Sequence, residues 1–142
     1  MPLQLEIVTP ERLAYSDVVD AVTLPGSEGE LGVLPHHAPL VSTLGFGELR
    51  IRKGGVEESF AIVGGFVQVL PDKVVVMAET ADIASEIDVE KAAEARREAE
   101  RALESGYHEG ADLSMARAAL QHALLRERLA QRRHREGPRH RG

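Results

Sequence analysis

Residues 24–40 have the sequence LPGSEGELGVLPHHAPL, which contains three glycines and three prolines. Glycine and proline at this density make the backbone turn sharply several times within a short distance. A phosphate-binding loop would need its glycines to lead into a helix through a Lys-Ser or Lys-Thr pair, and this stretch has no such pair. It instead predicts a strand end, an exposed acidic loop, a short strand and a corner bracketed by prolines.

The chain up to about Ala84 has the alternating pattern of β-strands. Residues 48–52 (ELRIR) alternate with period two, and glycine pairs at 54–55 and 64–65 separate the apolar runs that follow. Short strands between glycine and proline turns are typical of a β-sandwich or barrel. The pattern predicts roughly ten short strands, among them one that ends at Pro25 and one at 59–63, and no helix of usual length in this half.

From Glu86 the period changes to that of helices. Residues 89–103 consist mainly of Ala, Glu, Arg and Lys, which are strong helix formers, and Asp88 is a natural N-cap. Glycines at 106 and 110 predict a short loop, after which Asp112 caps a second helix that runs to about Arg133. A loop this short makes the two helices an antiparallel hairpin.

The apolar residues of the two helices differ in size. The apolar positions of the first helix are mostly alanines, and each alanine buries little area. Two interpretations stay open: the hairpin is packed permanently on the sandwich, or it is held weakly enough to detach and present its apolar face to a partner. The second helix has Leu113, Ala116, Leu120 and Leu124 on one face, with Leu125 and Leu129 turned toward another. We therefore predict an α+β chain of a β-sandwich at 1–85, a regulatory helical hairpin at 86–134 and a basic disordered tail at 135–142.

Composition excludes several classes of function. The formal net charge of the whole chain is −6, whereas the segment from Arg126 onward has seven arginines and two glutamates. An acidic body with few aromatic residues argues against nucleic-acid binding. The chain has no cysteine and no apolar run long enough to span a membrane.

The histidines and the motifs of the chain do not indicate a metal site or an enzyme. His36 and His37 are adjacent and lack further ligands at suitable spacing, so we expect no metal. The sequence also has no catalytic triad and no phosphate-binding motif that would point to an enzyme.

The chain closely resembles the epsilon subunit of bacterial F-type ATP synthases, which corresponds to delta in mitochondria. The resemblance rests on residues 5–11 (LEIVTPE), 25–40, 47–51 (GELRI) and 64–69 (GGFVQV), together with the two helices at the C-terminal end. The resemblance covers nearly the whole chain. It agrees with the strand and helix patterns, which separately predict a sandwich followed by a helical hairpin.

The resemblance implies a non-catalytic rotor subunit of a proton-translocating complex. It implies that the sandwich docks on the gamma subunit and on the c-ring, coupling ring rotation to the catalytic head. It further implies that the hairpin extends into the alpha/beta head and inhibits ATP hydrolysis. The expected location is the cytoplasmic face of the bacterial inner membrane, bound through partners. The partner-binding residues that the resemblance implies are Glu28 and Glu30 toward the c-ring, and His37, Pro39 and Leu40 near the rotor contact.

Some bacterial family members bind ATP on the hairpin through a motif that residues 87–92 (IDVEKA) match. Lys91 replaces the family arginine, so a planar bidentate donor becomes a point charge. Glu98 and Leu124 stand where further arginines are expected. The nucleotide-binding residues that the resemblance implies are Asp88, Lys91, Arg97 and Arg128. Without a ligand, Asp88 needs no role beyond capping the helix.

Two other functions stay open beside the rotor subunit. The hairpin could serve as an ATP-sensing module, in which case the chain would bind ATP without any other subunit. The chain could also be a generic β-sandwich interaction module with a helical appendage, in which case it would not bind a gamma subunit.

Overall fold

The computed structural model describes residues 3–105 and 111–136, and the chain forms two compact units. The first unit, residues 3–83, contains ten β-strands, and the second begins at Ala84 and contains two helices. The predicted α+β order of strands followed by helices is confirmed. The strands are β1 (Leu3–Val8), β2 (Leu13–Val19), β3 (Ala21–Gly26), β4 (Gly29–Val33), β5 (Leu40–Thr43), β6 (Gly47–Lys53), β7 (Val56–Val63), β8 (Phe66–Val69), β9 (Lys73–Met77) and β10 (Thr80–Ile83).

The ten strands form two five-stranded sheets. Sheet 1 has the order β2-β1-β9-β8-β5, and sheet 2 has the order β10-β7-β6-β3-β4. Strands β1 and β9 run parallel, from Gln4 opposite Lys73 to Val8 opposite Met77. The other paired strands are antiparallel. The first strand of the chain therefore lies inside sheet 1, between β2 and a strand that is distant in sequence.

The core of the sandwich is built from the inward-facing residues of both sheets. In β1 the side chains of Leu3, Leu5 and Ile7 are fully buried and alternate with half-buried residues, as the period of two requires. Phe60 is the largest buried side chain and contacts Tyr15 edge-to-face, with ring centroids 5.6 Å apart. Each fully buried side chain of this size contributes about 1.5–3 kcal/mol of hydrophobic free energy.

Two strand boundaries differ from the sequence pattern. The pattern ends a strand at Pro25, whereas β3 continues to Gly26. Strand β6 pairs with β3 only at Ala21–Thr23, so the N–H that Pro25 lacks is not needed for a ladder bond on that side. The pattern also starts a strand at Ser59, whereas β7 starts at Val56, directly after a tight glycine turn.

The second unit consists of a short 3-10 turn and two helices. The turn spans Ala84–Glu86, α1 spans Val89–Glu104 and α2 spans Ala111–Glu136. The Asp88 carboxylate accepts a hydrogen bond from the backbone N–H of Lys91 at 3.0 Å, so the predicted N-cap is confirmed. The helices run antiparallel, since α1 contacts α2 in reverse order through Ala92 beside Ala130 and Arg96 beside Glu127.

Three details of α2 differ from the sequence prediction. The described part of the helix starts at Ala111, and the backbone of Asp112, the predicted N-cap, is already helical. Leu125 and Leu129 are buried whereas Leu124 is 44% exposed, so the face that contains Leu124 is not the main buried face. The helix also includes residues 135–136, which the pattern assigns to the tail. The predicted loop at 106–110 and the rest of the tail, 137–142, lie outside the described residues.

Candidate functional site

An acidic turn joins β3 and β4 at one edge of the sandwich. Gly26 pairs with Gly29, which leaves Ser27 and Glu28 as the two turn residues. Gly29 has a φ of 130°, a backbone conformation that glycine adopts without strain. The Ser27 hydroxyl lies 2.7 Å from the Thr43 hydroxyl, and the Ser27 N–H donates to the Thr43 carbonyl. The turn is therefore tied to β5 and holds Glu28 in solvent.

The two carboxylates of the acidic turn have different surroundings. Glu30 forms an ion pair with Arg50 at 3.1 Å, with side chains 64% and 35% exposed. Glu28 forms no hydrogen bond or ion pair with any residue that the structure describes. An exposed ion pair is worth at most about 1 kcal/mol, so Arg50 is readily replaced by another cation. Glu28 can therefore bind a cation of a partner without first giving up another ion pair, unlike Glu30.

The proline-bracketed corner is fixed by backbone hydrogen bonds. His36 has a φ of 69°, and its N–H donates to the Pro71 carbonyl at 2.6 Å. The His37 ring nitrogen Nδ1 lies 2.8 Å from the Ala38 carbonyl, Pro39 is exposed, and Leu40 starts β5. The structure thus places His37, Pro39 and Leu40 together at the entry to sheet 1.

An open apolar cleft of about 510 Å³ lies on the outer face of sheet 1. Phe66 and Met77 stand opposite each other on β8 and β9 and are 50% and 40% exposed. The sequence pattern did not single them out, although both occupy outward positions where a solvated sheet normally has polar residues. An apolar residue on the polar face of a strand, such as Phe66 beside Gln68 in β8, is the sequence signal that could have identified the cleft. The lining residues are Val8, Thr9, Pro10, Thr43, Gly65, Phe66, Met77, Ala78 and Glu79.

The cleft and the acidic turn are continuous. Thr43 lines the cleft and contacts Ser27 of the turn through its hydroxyl and its carbonyl. Beyond Thr43, the Leu44 N–H donates to the Gly65 carbonyl and Gly45 donates to Pro25. These bonds hold an apolar surface and an exposed carboxylate in one rigid frame. The arrangement fits a protein partner that presents an apolar side chain next to a cation.

The hairpin holds the four residues that the resemblance assigns to nucleotide binding. Asp88 and Lys91 are brought together at the start of α1, where the Asp88 carboxylate accepts from the Lys91 backbone. The side chains of Lys91, Arg97 and Arg128 are exposed and form no hydrogen bond or ion pair with another described residue. No contact in the described chain therefore joins all four.

A different arginine connects the two helices. The Arg96 guanidinium donates from Nε to the Glu127 carboxylate of α2, with distances of 2.9 and 3.1 Å to its two oxygens. Its Nη1 contacts Glu100 on its own helix. The hydrogen bond with Glu127 raises the pKa of Arg96 above its ordinary value, and the bond with Glu100 adds to this effect. Arg96 is thus protonated at every physiological pH.

Within residues 3–105 and 111–136, no cluster of His, Asp and Glu side chains is arranged to hold a metal ion. The helices in the same two ranges are not long and apolar enough to cross a membrane.

Two domain families match the chain in succession. Residues 2–84 match the family described as ATP synthase, Delta/Epsilon chain, beta-sandwich domain. Residues 85–131 match the family described as ATP synthase, Delta/Epsilon chain, long alpha-helix domain. The fold and the matches define a class of proteins that join a β-sandwich domain to a long-helix domain.

Similar proteins share this whole architecture. The chain is 48% identical to the ATP synthase epsilon chain of Syntrophobacter fumaroxidans over 130 residues, which cover 92% of this chain and 96% of that one. It is 44% identical to the ATP synthase epsilon chain of Dehalococcoides mccartyi strain CBDB1 over 131 residues, or 92% and 94% of the two chains. The chain belongs to the family of ATP synthase epsilon chains, which confirms the resemblance drawn from its motifs.

Solved structures agree with this assignment. The chain is similar to a chain of the Euglena gracilis mitochondrial ATP synthase, in a structure of OSCP, F1 and the c-ring. The TM-score is 0.74 and the identity 30%, covering 93% of this chain and 82% of that one. A chain from the central stalk and c-ring of the Tetrahymena thermophila mitochondrial ATP synthase shares the fold, with a TM-score of 0.62 and 16% identity, over 92% of this chain and 97% of that one.

Proposed function

We propose that this chain is a central-stalk subunit of a proton-translocating F-type ATP synthase. In this role it couples c-ring rotation to the catalytic head, and its helices inhibit ATP hydrolysis. It catalyses no reaction itself and is bound through partners at the cytoplasmic face of a bacterial inner membrane. The observation that carries the proposal is the rigid surface in which an apolar cleft continues into an acidic turn, in a chain of this family.

The apolar cleft is the proposed contact with the gamma subunit. Phe66 and Met77 are large, half-exposed and directly opposite each other on β8 and β9, so a partner side chain packed against them removes apolar surface from water on both proteins. The corner with His37, Pro39 and Leu40 lies at the other end of β5 from the cleft and is a separate proposed contact with the rotor. Backbone bonds fix both segments, so little conformational entropy is lost when a partner binds.

The acidic turn is the proposed contact with the polar loops of the c-ring. Glu28 presents at the tip a carboxylate that has no partner among the described residues, while Glu30 exchanges Arg50 for an arginine or lysine of the ring. Charge-assisted hydrogen bonds to such a cation are stronger than neutral ones and are specific in direction. Contacts of this kind transmit torque without a large apolar interface.

Phe66→Ser is expected to weaken binding of the chain to the gamma subunit by about tenfold or more, because it removes a central apolar anchor. The side chain is half-exposed, so its loss leaves the core of the sandwich intact. Val18→Ser is the matched control, since Val18 is an exposed apolar residue on β2 of the same sheet but lies outside the cleft. Calorimetric titration of gamma with each purified variant measures the effect.

Equal affinities of the Phe66 and Val18 variants would exclude the cleft as the gamma contact. Failure of the unchanged chain to bind gamma would remove the central-stalk proposal as a whole and leave the generic interaction module.

The nucleotide hypothesis for the hairpin stays a prediction, and Lys91 offers its test. Lys91 is exposed at the start of α1, where the helix dipole favours an anion. We expect Lys91→Arg to raise the affinity for ATP by roughly threefold or more, because a guanidinium binds phosphate through two parallel hydrogen bonds. Calorimetry with the full chain measures the affinity, with Arg101→Lys as the control. Equal affinities would remove Lys91 from the site, and no binding by any variant would remove ATP sensing.

A further inference from the structure

We propose that Arg96 is a latch with two carboxylate partners, Glu127 on α2 and Glu100 on α1, and that it controls the opening of the hairpin. In the closed hairpin the guanidinium is shared between both carboxylates. When α2 separates, Arg96 remains paired with Glu100 and releases Glu127. The proposal rests on the function above, in which the hairpin opens, and names the residues that set the balance between its states.

The geometry around Arg96 is that of a shared cation. Nε faces Glu127 across the helix interface, and Nη1 faces Glu100 one turn further along α1. The side chains of Arg96 and Glu127 are 27% and 13% exposed, so this pair is more shielded from water than the other ion pairs of the described chain. Shielding strengthens an ion pair and makes its orientation specific.

The ion pair adds a directional contact to the apolar contacts of the hairpin. One buried cluster consists of Ile87, Ala92 and Ala130, and two of these three residues are alanines, which bury little surface. Leu125 and Leu129 of α2 are buried as well. Apolar contacts are non-directional, whereas the pair of Arg96 with Glu127 requires α2 to be in place, so its loss shifts the equilibrium of the hairpin toward the open state.

Glu100 and Glu127 have opposite effects on opening. Glu127 pairs with Arg96 only while α2 is in place, so it stabilises the closed state. Glu100 lies four residues from Arg96 on the same helix, a spacing that keeps the two side chains in contact whether or not α2 is present. In the closed state the two carboxylates also repel each other across one guanidinium. Glu100 therefore stabilises the open state relative to the closed state.

The test measures the separation of the helices in the full chain. The sequence has no cysteine, so Glu94→Cys and Gln131→Cys provide two unique spin-label sites at exposed positions on α1 and α2. Pulsed electron paramagnetic resonance then gives the distribution of distances between the labels. Glu127→Gln is expected to raise the ratio of open to closed hairpin roughly threefold to fivefold. Glu100→Gln is expected to lower it roughly twofold.

Glu98→Gln is the control, because Glu98 is an exposed carboxylate on α1 without a partner among the described residues. It is expected to leave the distances unchanged, and circular dichroism checks that every variant keeps its helices. An unchanged distribution for Glu127→Gln, or opening by Glu100→Gln, would overturn the latch.

A second readout separates the latch from the proposed function. Each variant is added to the catalytic core, and ATP hydrolysis is measured. Shifted distances with no effect of any variant on hydrolysis would support the latch and contradict the inhibitory role of the hairpin. Inhibition by the unchanged chain without any shift of distances in the variants would support the inhibitory role and overturn the latch.

Discussion

A chain that ends at Ser85 is expected to bind the catalytic core of ATP synthase without slowing its ATP hydrolysis, whereas the full chain slows it roughly tenfold, within the usual range of allosteric coupling. The truncated chain keeps the whole sandwich, whose core residues lie between Leu3 and Ala81. It lacks both helices, which form the second unit. The expected difference follows because the proposed docking surface and the proposed inhibitor lie in different units.

Hydrolysis by a reconstituted alpha/beta/gamma core measures this difference, with both chains added at saturating concentration. Binding of each chain to the core is measured separately, so that a lack of inhibition is not confused with a lack of docking. Equal inhibition by the truncated chain would place the inhibitory effect in the sandwich. Binding by both chains without inhibition by either would leave a coupling subunit with no inhibitory role.

Gly65→Ala is expected to lower the free energy of unfolding of the sandwich by about 3 kcal/mol or more. Gly65 has a φ of 108°, which L-residues rarely adopt, and an added Cβ would lie 1.8 Å from the Met77 carbonyl oxygen. That oxygen belongs to the backbone of β9, so relief of the clash requires the strand to move. The residue also lines the apolar cleft, so the same movement would distort the proposed gamma contact.

Gly32→Ala is the matched control for this substitution. Gly32 lies in β4, where an added Cβ meets no atom within 4 Å and φ is not positive. Its replacement is expected to change the free energy of unfolding by less than about 0.5 kcal/mol. Denaturation by urea, followed by circular dichroism, measures both variants. A similar small effect at Gly65 would mean that the backbone near Met77 moves at little cost.

The fold could be predicted from the sequence because its signals are local. Alternation in residues 48–52 reports one half-buried strand directly, and glycine pairs mark the turns. Asp88 was identified as a cap because the interaction involves a residue only three positions away. The pairing of β1 with β9 has no such local signal, since it joins residues about seventy positions apart.

The candidate sites were predictable only in part, for the same reason. The glycines around Glu28 indicate an exposed loop, and the resemblance implies its role as a partner contact, but the pairing of Glu30 with Arg50 depends on the neighbouring strands. The alternation in β8 places Phe66 on the same face as Gln68, but the pairing of Phe66 with Met77 across two strands has no local signal. The resemblance implies Arg97 as a nucleotide-binding residue, whereas Arg96, which no sequence pattern selects, contacts α2. Tertiary placement decides each of these cases, and sequence spacing does not encode it.

The parallel pairing of β1 with β9 has a consequence for synthesis on the ribosome. Strand β1 cannot complete its pairing in sheet 1 until residues 73–77 have also emerged. At usual rates of translation this delay lasts about 4 to 14 s. During that time Leu3, Leu5 and Ile7 lack Val74 and Val76 of β9, which belong to the same buried core, and one edge of β1 has no partner strand. Strand β1 is therefore a part of the nascent chain that needs protection from aggregation.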